Sequence, residues 1–192
     1  MVDTWTILRS RGPRLAKLHT PEGTLGYERA KVFQWTTVEV ESLSDWAEIL
    51  RKLESKPLQC VIRGVVREGI TSKLVERNAQ TFQDPGHHLI PLDLDDDEGR
   101  TVSELIALLP EAFHAAPYIL QWTASHGIKP GTRCRLWFWG DTPTTGVQLK
   151  HALRDTPCDP AIFRVVQPIY TASPIFQGVE DPVERRTELI DF

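Results

Sequence analysis

The stretch of the chain best suited to chemistry is the run HHLIPLDLDDD between His87 and Asp97. An apolar segment leads there to two carboxylates, Asp93 and Asp95, which lie two positions apart. Side chains two apart on a β-strand point to the same face, so the pattern predicts a strand that presents both acids together. Paired carboxylates suit a hard divalent cation such as Mg²⁺ or Mn²⁺. Acidic residues also end strands simply to face water, and for Asp-x-Asp alone that alternative has about equal weight.

A second stretch, TASHGIKPGTRCRLWFW, lies about thirty residues further on and carries Arg133 and Arg135. It is typical of a strand end, a Gly/Pro turn and an apolar strand, so the two arginines share one face. Guanidinium groups bind phosphate oxygens in a forked geometry, and a pair of them suits a triphosphate. An exposed strand face that merely carries charge is the common alternative for an isolated Arg-x-Arg.

A third stretch, CDPAIF, places Asp159 directly after Cys158. A carboxylate brought beside Asp93 and Asp95 would complete a three-acid cage able to hold two metal ions. Such a cage organises in-line attack on the α-phosphate of a nucleotide. Taken alone, Asp159-Pro160 is an ordinary turn or helix start.

The order of these stretches resembles the archaeo-eukaryotic primase superfamily, in particular the primase-polymerases of plasmids, phages and integrated elements. Motif I of that superfamily, an apolar strand ending in Asp-x-Asp or Asp-x-Glu, matches LIPLDLD with Asp93 and Asp95. Motif II, a Ser-x-His in a strand after a Ser/Gly-rich turn, corresponds to TASHGIKPGTRCRLWFW. Motif III, an apolar residue followed by Asp, matches CDPAIFRVVQPIY with Asp159. The resemblance spans about Arg63 to Tyr170.

The resemblance implies an α+β (mixed α/β) fold: an RRM-like sheet with an N-terminal α/β unit and helices packed on it. It implies a DNA primase or primase-polymerase, a nucleotidyltransferase that joins nucleoside triphosphates on a single-stranded DNA template during replication of a mobile element. Asp93, Asp95 and Asp159 would be the catalytic metal ligands, with Mg²⁺ or Mn²⁺ as cofactor. The resemblance also implies a replicative helicase as a partner. The sequence contains no Walker-type GxxxxGK(S/T), so any helicase would be a separate polypeptide or another portion of a longer protein.

The chain departs from the family pattern in motif II. Arg135 stands where the superfamily has its histidine, and Arg133 stands at the serine position. An arginine stays protonated and neutralises phosphate charge, but it cannot replace a titrating imidazole. We therefore expect Ser125, His126 and Lys129, in the adjoining turn, to supply nucleotide contacts beside the two arginines.

Two other function classes remain open. A primase-like domain that has lost catalysis and binds nucleotide, DNA or a replication partner is favoured by Arg135 in the histidine position. A metal-dependent nuclease would use similar acids without needing a triphosphate pocket.

The composition limits these choices. With 192 residues and 41% hydrophobic content, the chain can build one domain with a real core, and a formal net charge of −4 argues against indiscriminate coating of nucleic acid. A basic patch near the start is interpreted as solvated surface; it consists of Arg9, Arg11, Arg14 and Lys17. No stretch reaches the ~20 apolar residues of a membrane span, so we expect a cytoplasmic protein without a membrane partner.

Cysteines and histidines give weaker signals. Cys60, Cys134 and Cys158 are widely spaced and form no CxxC pair, which argues against structural zinc and disulfides. His87 and His88 are alternative metal ligands, but neighbours on a strand face opposite sides, so at most one could join a site built by the two acids.

The elements that must position these residues follow from the apolar periodicity. Strands are predicted at residues 5–8, 31–40, 60–66, 118–125 and 133–139, the last two forming a hairpin, with mostly extended chain after residue 161. Helices are predicted over WAEILRKLES, after a cap within residues 42–45, and over TVSELIALLPEAF, with a break at Pro110. A third helix is predicted over TGVQLKHALRD; its apolar positions include Val147 and Leu149, and Pro157 ends it.

We expect one catalytic domain over residues 1–192. It would comprise an N-terminal α/β unit (1–60), a metal-binding RRM-like catalytic core (61–176) and a polar tail (177–192).

Overall fold

The computed structural model describes residues 2–191 and shows an α+β protein in which most elements are strands. In chain order the strands are β1 (Asp3–Ser10), β2 (Leu18–Thr20), β3 (Gly23–Leu25), β4 (Val32–Val40), β5 (Gln59–Ile62), β6 (Val65–Val66), β7 (Leu74–Glu76), β8 (Phe82–Gln83), β9 (His87–Asp96), β10 (Tyr118–Trp122), β11 (Thr132–Thr144), β12 (Ile175–Phe176) and β13 (Thr187–Ile190). The α-helices are α1 (Leu43–Glu54), α2 (Val102–Ile106) and α3 (Gly146–Ala152), and short 3₁₀ helices cover Glu111–Phe113 and Pro160–Phe163.

Two four-stranded antiparallel sheets form the framework. The first has the order β5-β1-β4-β7 and the second the order β13-β10-β11-β9. The hairpin predicted from the sequence is β10–β11. Two smaller sheets, β12-β2-β3 and β6-β8, complete the strand pairing, and β12 pairs with β2 in parallel.

One hydrophobic core joins both sheets and α1, and three tryptophans lie within it. Trp5 of β1, Trp46 of α1 and Trp137 of β11 are each 0% exposed. Their ring centroids lie between 5.2 and 5.5 Å apart in tilted and edge-to-face arrangements. Such aromatic contacts stabilise a core beyond the area that they bury. The two sheets and the helix are therefore held together at one point.

Helix α1 follows the sequence prediction closely. The side chain of Ser42 accepts a hydrogen bond from the backbone N of Asp45 at 3.2 Å, which caps the first turn. Its residues Trp46, Leu50 and Leu53 recur at helical spacing and are buried. The amphipathic helix is thus confirmed.

The strand expected over residues 60–66 is divided at Arg63 and Gly64. A Cβ at Gly64 would lie 2.8 Å from the Cβ of Phe82, so the chain approaches its neighbour too closely for any side chain there. Arg63 is fully buried and donates from Nη2 to the carbonyl oxygen of Thr144 at 2.8 Å. Close packing against β8, rather than continued strand pairing, governs this stretch.

The region after residue 144 differs most from expectation. Helix α3 is capped by Thr145 and ends at Ala152, well before Pro157. Val147 is 81% exposed, whereas Leu149 is buried; two positions apart on a helix, they lie on nearly opposite sides and cannot both face the core. Extended chain was expected after residue 161, but the first part is a 3₁₀ helix and β12 is the only named strand between residues 161 and 176.

The strands cross the boundaries that we drew between segments. The first sheet includes β7, which lies beyond residue 60. The second sheet includes β13, which lies in the segment expected to be a polar tail. Among residues 2–191, the longest helix has 12 residues, and none has the length and apolar character needed to cross a bilayer.

Candidate functional site

The pairing of β9 with β11 brings the first two predicted motifs together. Asp93 lies opposite Arg135, and Asp95 lies opposite Arg133. Nη2 of Arg135 is 3.0 Å from Oδ1 of Asp93, and Nη1 of Arg133 is 3.7 Å from Oδ2 of Asp95. The spacing predicts one shared face for the two acids and one for the two arginines. Directly opposed residues of an antiparallel pair share a face, so the pairing places all four side chains on one side of the sheet.

The third motif lies along the other edge of β9. The backbone N of Asp159 donates to the carbonyl oxygen of Asp93 at 3.0 Å, next to a β-bridge between Leu94 and Cys158. This register places Asp159 opposite Asp93. The exposed side chain of Asp159 accepts a hydrogen bond from Ala161 N at 2.9 Å and caps the following 3₁₀ helix.

Four residues therefore form a row across adjacent chain segments, which we call the Asp93 row: Gln121 of β10, Arg135 of β11, Asp93 of β9 and Asp159. Within this row, Nη1 of Arg135 donates to Oε1 of Gln121 at 3.2 Å. The same nitrogen donates to the carbonyl oxygen of Tyr170 at 3.0 Å. The Arg135 side chain is only 7% exposed, so it is held on three sides within the protein.

Polar atoms of the Asp93 row and of the neighbouring Arg133 are incompletely satisfied within residues 2–191. Nη2 of Arg135 lies nearer to Oδ1 of Asp93 but donates its hydrogen bond to Oδ2, at 3.2 Å. The buried Oδ1 atom of Asp93 receives no hydrogen bond, and neither Nε of Arg133 nor Nε of Arg135 has an acceptor. Buried polar atoms without partners carry an energetic cost, and functional sites are where such costs are commonly found.

Arg133 also contacts an acid in the turn that follows β9. Its Nη2 contacts Oδ1 of Asp97 and donates to the carbonyl oxygen of Pro130 at 3.2 Å. Partial desolvation raises the pKa of Asp95, while Arg133 opposes the rise and Asp93 adds to it. A carboxylate whose charge is disfavoured in this way favours added positive charge nearby.

Lys17 belongs to the site, which corrects the interpretation of its patch as solvated surface. Its Nζ donates to Oγ of Ser125 at 2.6 Å, and the side chain is partly buried. Burial lowers the pKa of Lys17, repulsion from Lys129 lowers it further, and Asp95 opposes both. Nothing in the spacing of Lys17 indicated this role, because its position depends on packing between segments 108 residues apart.

Of the three residues predicted to contact nucleotide from the turn after β10, two lie near the acids and arginines and one packs elsewhere. Ser125 meets the cluster through Lys17, and exposed Lys129 acts on Lys17 and Asp95 through its charge. His126 instead stacks on Trp122, with centroids 3.9 Å apart, and its Nδ1 accepts from the backbone N of Arg133 at 3.3 Å. Burial lowers the pKa of His126, and Arg186 adds to the effect. His126 thus packs beneath the strand that carries Arg133.

A stacked tyrosine pair borders the cations. The rings of Tyr27 and Tyr170 lie 3.6 Å apart and nearly parallel, and Lys17 Nζ is 5.5 Å from the Tyr27 centroid. Burial raises the pKa of Tyr27, with Arg135 opposing. Tyr27 falls in a Gly/Pro-containing segment without sequence signal, and Tyr170 by itself indicated only packing.

The two histidines at the start of β9 lie in other contacts. Nδ1 of His87 is 2.7 Å from Oδ1 of Asp3, and its Nε2 is 2.6 Å from the carbonyl oxygen of Arg63. Nδ1 of His88 contacts the carbonyl oxygen of Gly140 at 2.7 Å. Neither nitrogen of His87 nor Nδ1 of His88 contacts Asp93 or Asp95.

Whether the acids suit a divalent cation can be judged from their surroundings. Over residues 2–191, no three or more His, Cys, Asp or Glu side chains are arranged to hold a metal ion. Arg135 faces Asp93, and the Asp159 carboxylate caps a helix. The donor set is nevertheless of the right kind, because it offers hard carboxylate oxygens on adjacent segments. Metal ligation by Asp93, Asp95 and Asp159 stays a prediction.

Comparisons of the chain with protein-family models, with curated proteins and with solved structures give no match.

Proposed function

We propose that this protein is a primase-polymerase of the archaeo-eukaryotic primase type, a nucleotidyltransferase that extends nucleotide chains on single-stranded DNA. The observation that carries the proposal is the Asp93 row. Three short motifs, separated by up to 66 positions between Asp93 and Asp159, meet on adjacent segments in the order that the resemblance implies. Residues this far apart in the sequence are brought together by backbone pairing, with Arg135 and Asp159 on the two sides of Asp93.

The cations beside this row favour a polyphosphate ligand. Arg133 and Arg135 share a face with the acids, and Lys17 and Lys129 act on the same group of charges. Guanidinium forks and ammonium groups are the side chains that bind phosphate oxygens. A nucleoside triphosphate therefore matches the site in charge, and its α-phosphate would lie toward the carboxylates.

Asp93, Asp95 and Asp159 are the residues that would hold Mg²⁺ or Mn²⁺. Bound there, the cations would lower the charge at the α-phosphate and favour attack by a 3′-hydroxyl. The protein's own residues would orient the triphosphate: Arg133 from β11, Lys17 from the N-terminal region and Arg135 from within the row. Arginine cannot transfer a proton at neutral pH, so Arg135 would act by position and charge alone.

Single-stranded DNA remains the proposed template, and a replicative helicase the proposed further partner. Unpaired bases stack on aromatic rings, and the Tyr27–Tyr170 pair offers such rings 5.5 Å from Nζ of Lys17. The fold proposed for this chemistry is the RRM-like primase core, to which the second sheet with its helices would correspond.

The test is oligonucleotide synthesis. Purified protein is incubated with single-stranded template, labelled triphosphates and Mn²⁺ or Mg²⁺, and products are resolved by size. We expect extended products with wild-type protein and with Asp155→Asn, whose side chain is 86% exposed and pairs only with its neighbour Arg154 among the contacts found. Asp93→Asn should abolish them. No product from folded wild-type protein would refute the proposal, and DNA degradation without added nucleotide would point to a nuclease.

A second candidate is a primase-like module that binds nucleotide without catalysis. The Arg135–Asp93 ion pair at 3.0 Å favours it, since Arg135 occupies the position of the motif II histidine. Calorimetry with a triphosphate and Mn²⁺ distinguishes the two candidates: saturable binding without any synthesis supports the module.

A further inference from the structure

Arg135 already provides a positive charge at Asp93. Its Nη2 lies 3.0 Å from Oδ1 of Asp93, on a side chain that is 7% exposed. Bonds to Gln121 at 3.2 Å and to the Tyr170 carbonyl at 3.0 Å fix the other end of the guanidinium. Arginine is not deprotonated in proteins, so this charge persists at every accessible pH.

The surrounding charges are balanced without any ion. The site contains as many cationic as acidic side chains: Lys17, Lys129, Arg133 and Arg135 against Asp93, Asp95, Asp97 and Asp159. A divalent ion entering this group would meet fixed positive charges at short range, where screening by water is weak. A triphosphate reverses that balance, because it brings several negative charges into contact with the same cations.

We propose that Arg135 is a built-in counter-cation that keeps divalent metal affinity low at Asp93 until a triphosphate binds. The inference rests on the proposed function in one respect, namely that the triphosphate is the anion. Metal and nucleotide then bind cooperatively, and by linkage each tightens the other by the same factor. Oδ1 of Asp93, which faces Nη2 of Arg135 but receives no hydrogen bond from residues 2–191, is the oxygen that a metal would take when Arg135 is absent or neutralised.

The experiment measures Mn²⁺ binding alone, from the free-ion electron paramagnetic resonance signal, without nucleotide or DNA. Removing the charge in Arg135→Gln should tighten Mn²⁺ binding by about tenfold or more, as expected when a like charge is removed from a poorly screened site. Arg154→Gln is the control, because Arg154 pairs with a single exposed carboxylate, Asp155, outside the Asp93 row. Its Mn²⁺ affinity should equal that of wild-type protein.

Two further variants keep the outcome decisive. The double variant Asp93→Asn with Arg135→Gln should lose the gained affinity, which places the ion at Asp93. If Arg135→Gln fails to fold by circular dichroism, Arg135→His at pH 8, where an ordinary imidazole is mostly neutral, replaces it. Wild-type protein that binds Mn²⁺ alone as tightly as Arg135→Gln or Arg135→His would overturn the inference. A gain in Mn²⁺ affinity in Arg135→Gln together with no synthesis by folded wild-type protein would instead refute only the proposed function.

Discussion

Arg135 and Asp93 face each other across β11 and β9, with Nη2 of the arginine 3.0 Å from Oδ1 of the carboxylate. The resemblance to primases places a histidine where this arginine stands. The exchange converts a position that would titrate near neutral pH into one with a permanent charge. Both the proposed nucleotide site and the proposed control of metal affinity depend on this pair.

The two neighbouring acids should differ in their effect on stability. Asp93→Ala leaves the buried Arg135 without its counter-ion and should lower the free energy of unfolding by roughly 1–3 kcal/mol, less than for a fully buried pair because Asp93 is 32% exposed. Asp95→Ala removes a side chain that is 70% exposed and should change stability by less than about 0.5 kcal/mol. Urea unfolding monitored by tryptophan fluorescence measures both. Equal losses in the two variants would contradict the geometry of the row.

Triphosphate binding should weaken at alkaline pH earlier than an ordinary lysine would allow. The pKa of Lys17 is lowered from 10.5 by burial and by Lys129, so its charge is lost as pH rises toward that value. Lys17→Arg keeps its charge and should bind triphosphate with a flatter pH profile. Fluorescence titration at pH 7 to 10 measures this, and identical profiles for the two proteins would exclude Lys17 from the site.

The lowered pKa of Lys17 also makes the stability of the fold depend on pH. The folded protein disfavours charged Lys17, so below the lowered pKa the buried charge reduces the free energy of unfolding by a constant amount. Between that pKa and 10.5 the folded protein loses the proton first, and the free energy of unfolding rises with pH. Replacement of Lys17 by Met should therefore leave stability at pH 7 unchanged or higher, even though triphosphate binding falls.

Gln121 should act as a positioning residue for Arg135. Its Oε1 accepts from Nη1 of Arg135 at 3.2 Å and from Nε1 of Trp137 at 3.3 Å, within the core. Gln121→Leu leaves Nε1 of Trp137 without an acceptor and leaves Nη1 of Arg135 with the Tyr170 carbonyl alone, and it should cost about 1–3 kcal/mol of unfolding free energy. Gln121→Glu keeps the acceptor and should restore most of that loss. If the leucine variant is as stable as wild-type protein, these hydrogen bonds do not hold the row.

A buried pair between β1 and β9 should make stability depend on acid pH. Burial alone would raise the pKa of Asp3, but its hydrogen bond to His87 and the charge of His87 outweigh burial and lower the pKa below 3.8. The stabilisation is thus present above pH 3.8 and is lost as pH falls through the lowered pKa.

Asp3→Asn tests this linkage. At pH 7 it should cost about 2–4 kcal/mol of unfolding free energy, as removal of one partner from a buried pair does. The difference from wild-type protein should shrink as the pH is lowered below 3.8, the ordinary value for aspartate. Urea unfolding at both pH values measures it, and a difference that does not vary with pH would contradict a lowered pKa of Asp3.

Local patterns were sufficient to predict the strands and helix that carry short-range signals. The alternation around Asp93, the arginine spacing at Arg133 and Arg135, and the capped amphipathic helix after Ser42 all depend on residues close in sequence. The pairing of β9 with β11, which sets Arg135 opposite Asp93, was not predicted, because the local pattern of a strand does not specify its partner.

Contacts between residues far apart in the sequence were not predicted. Lys17 reaches Ser125 over 108 positions, and Tyr27 stacks on Tyr170 from an irregular segment. The extended chain expected after residue 161 is instead led by a 3₁₀ helix that Asp159 caps, where Pro160 favours a helical start. Such contacts are set by the assembled sheets, so no local periodicity contains them.

The most direct test of the account compares two aspartates four positions apart. Synthesis on single-stranded template with Mn²⁺ is measured for Asp159→Asn, in the row opposite Asp93, and for Asp155→Asn, which is 86% exposed outside it. We predict that Asp159→Asn loses product formation while Asp155→Asn retains the wild-type level. Full synthesis by folded Asp159→Asn would contradict a site built from all three motifs.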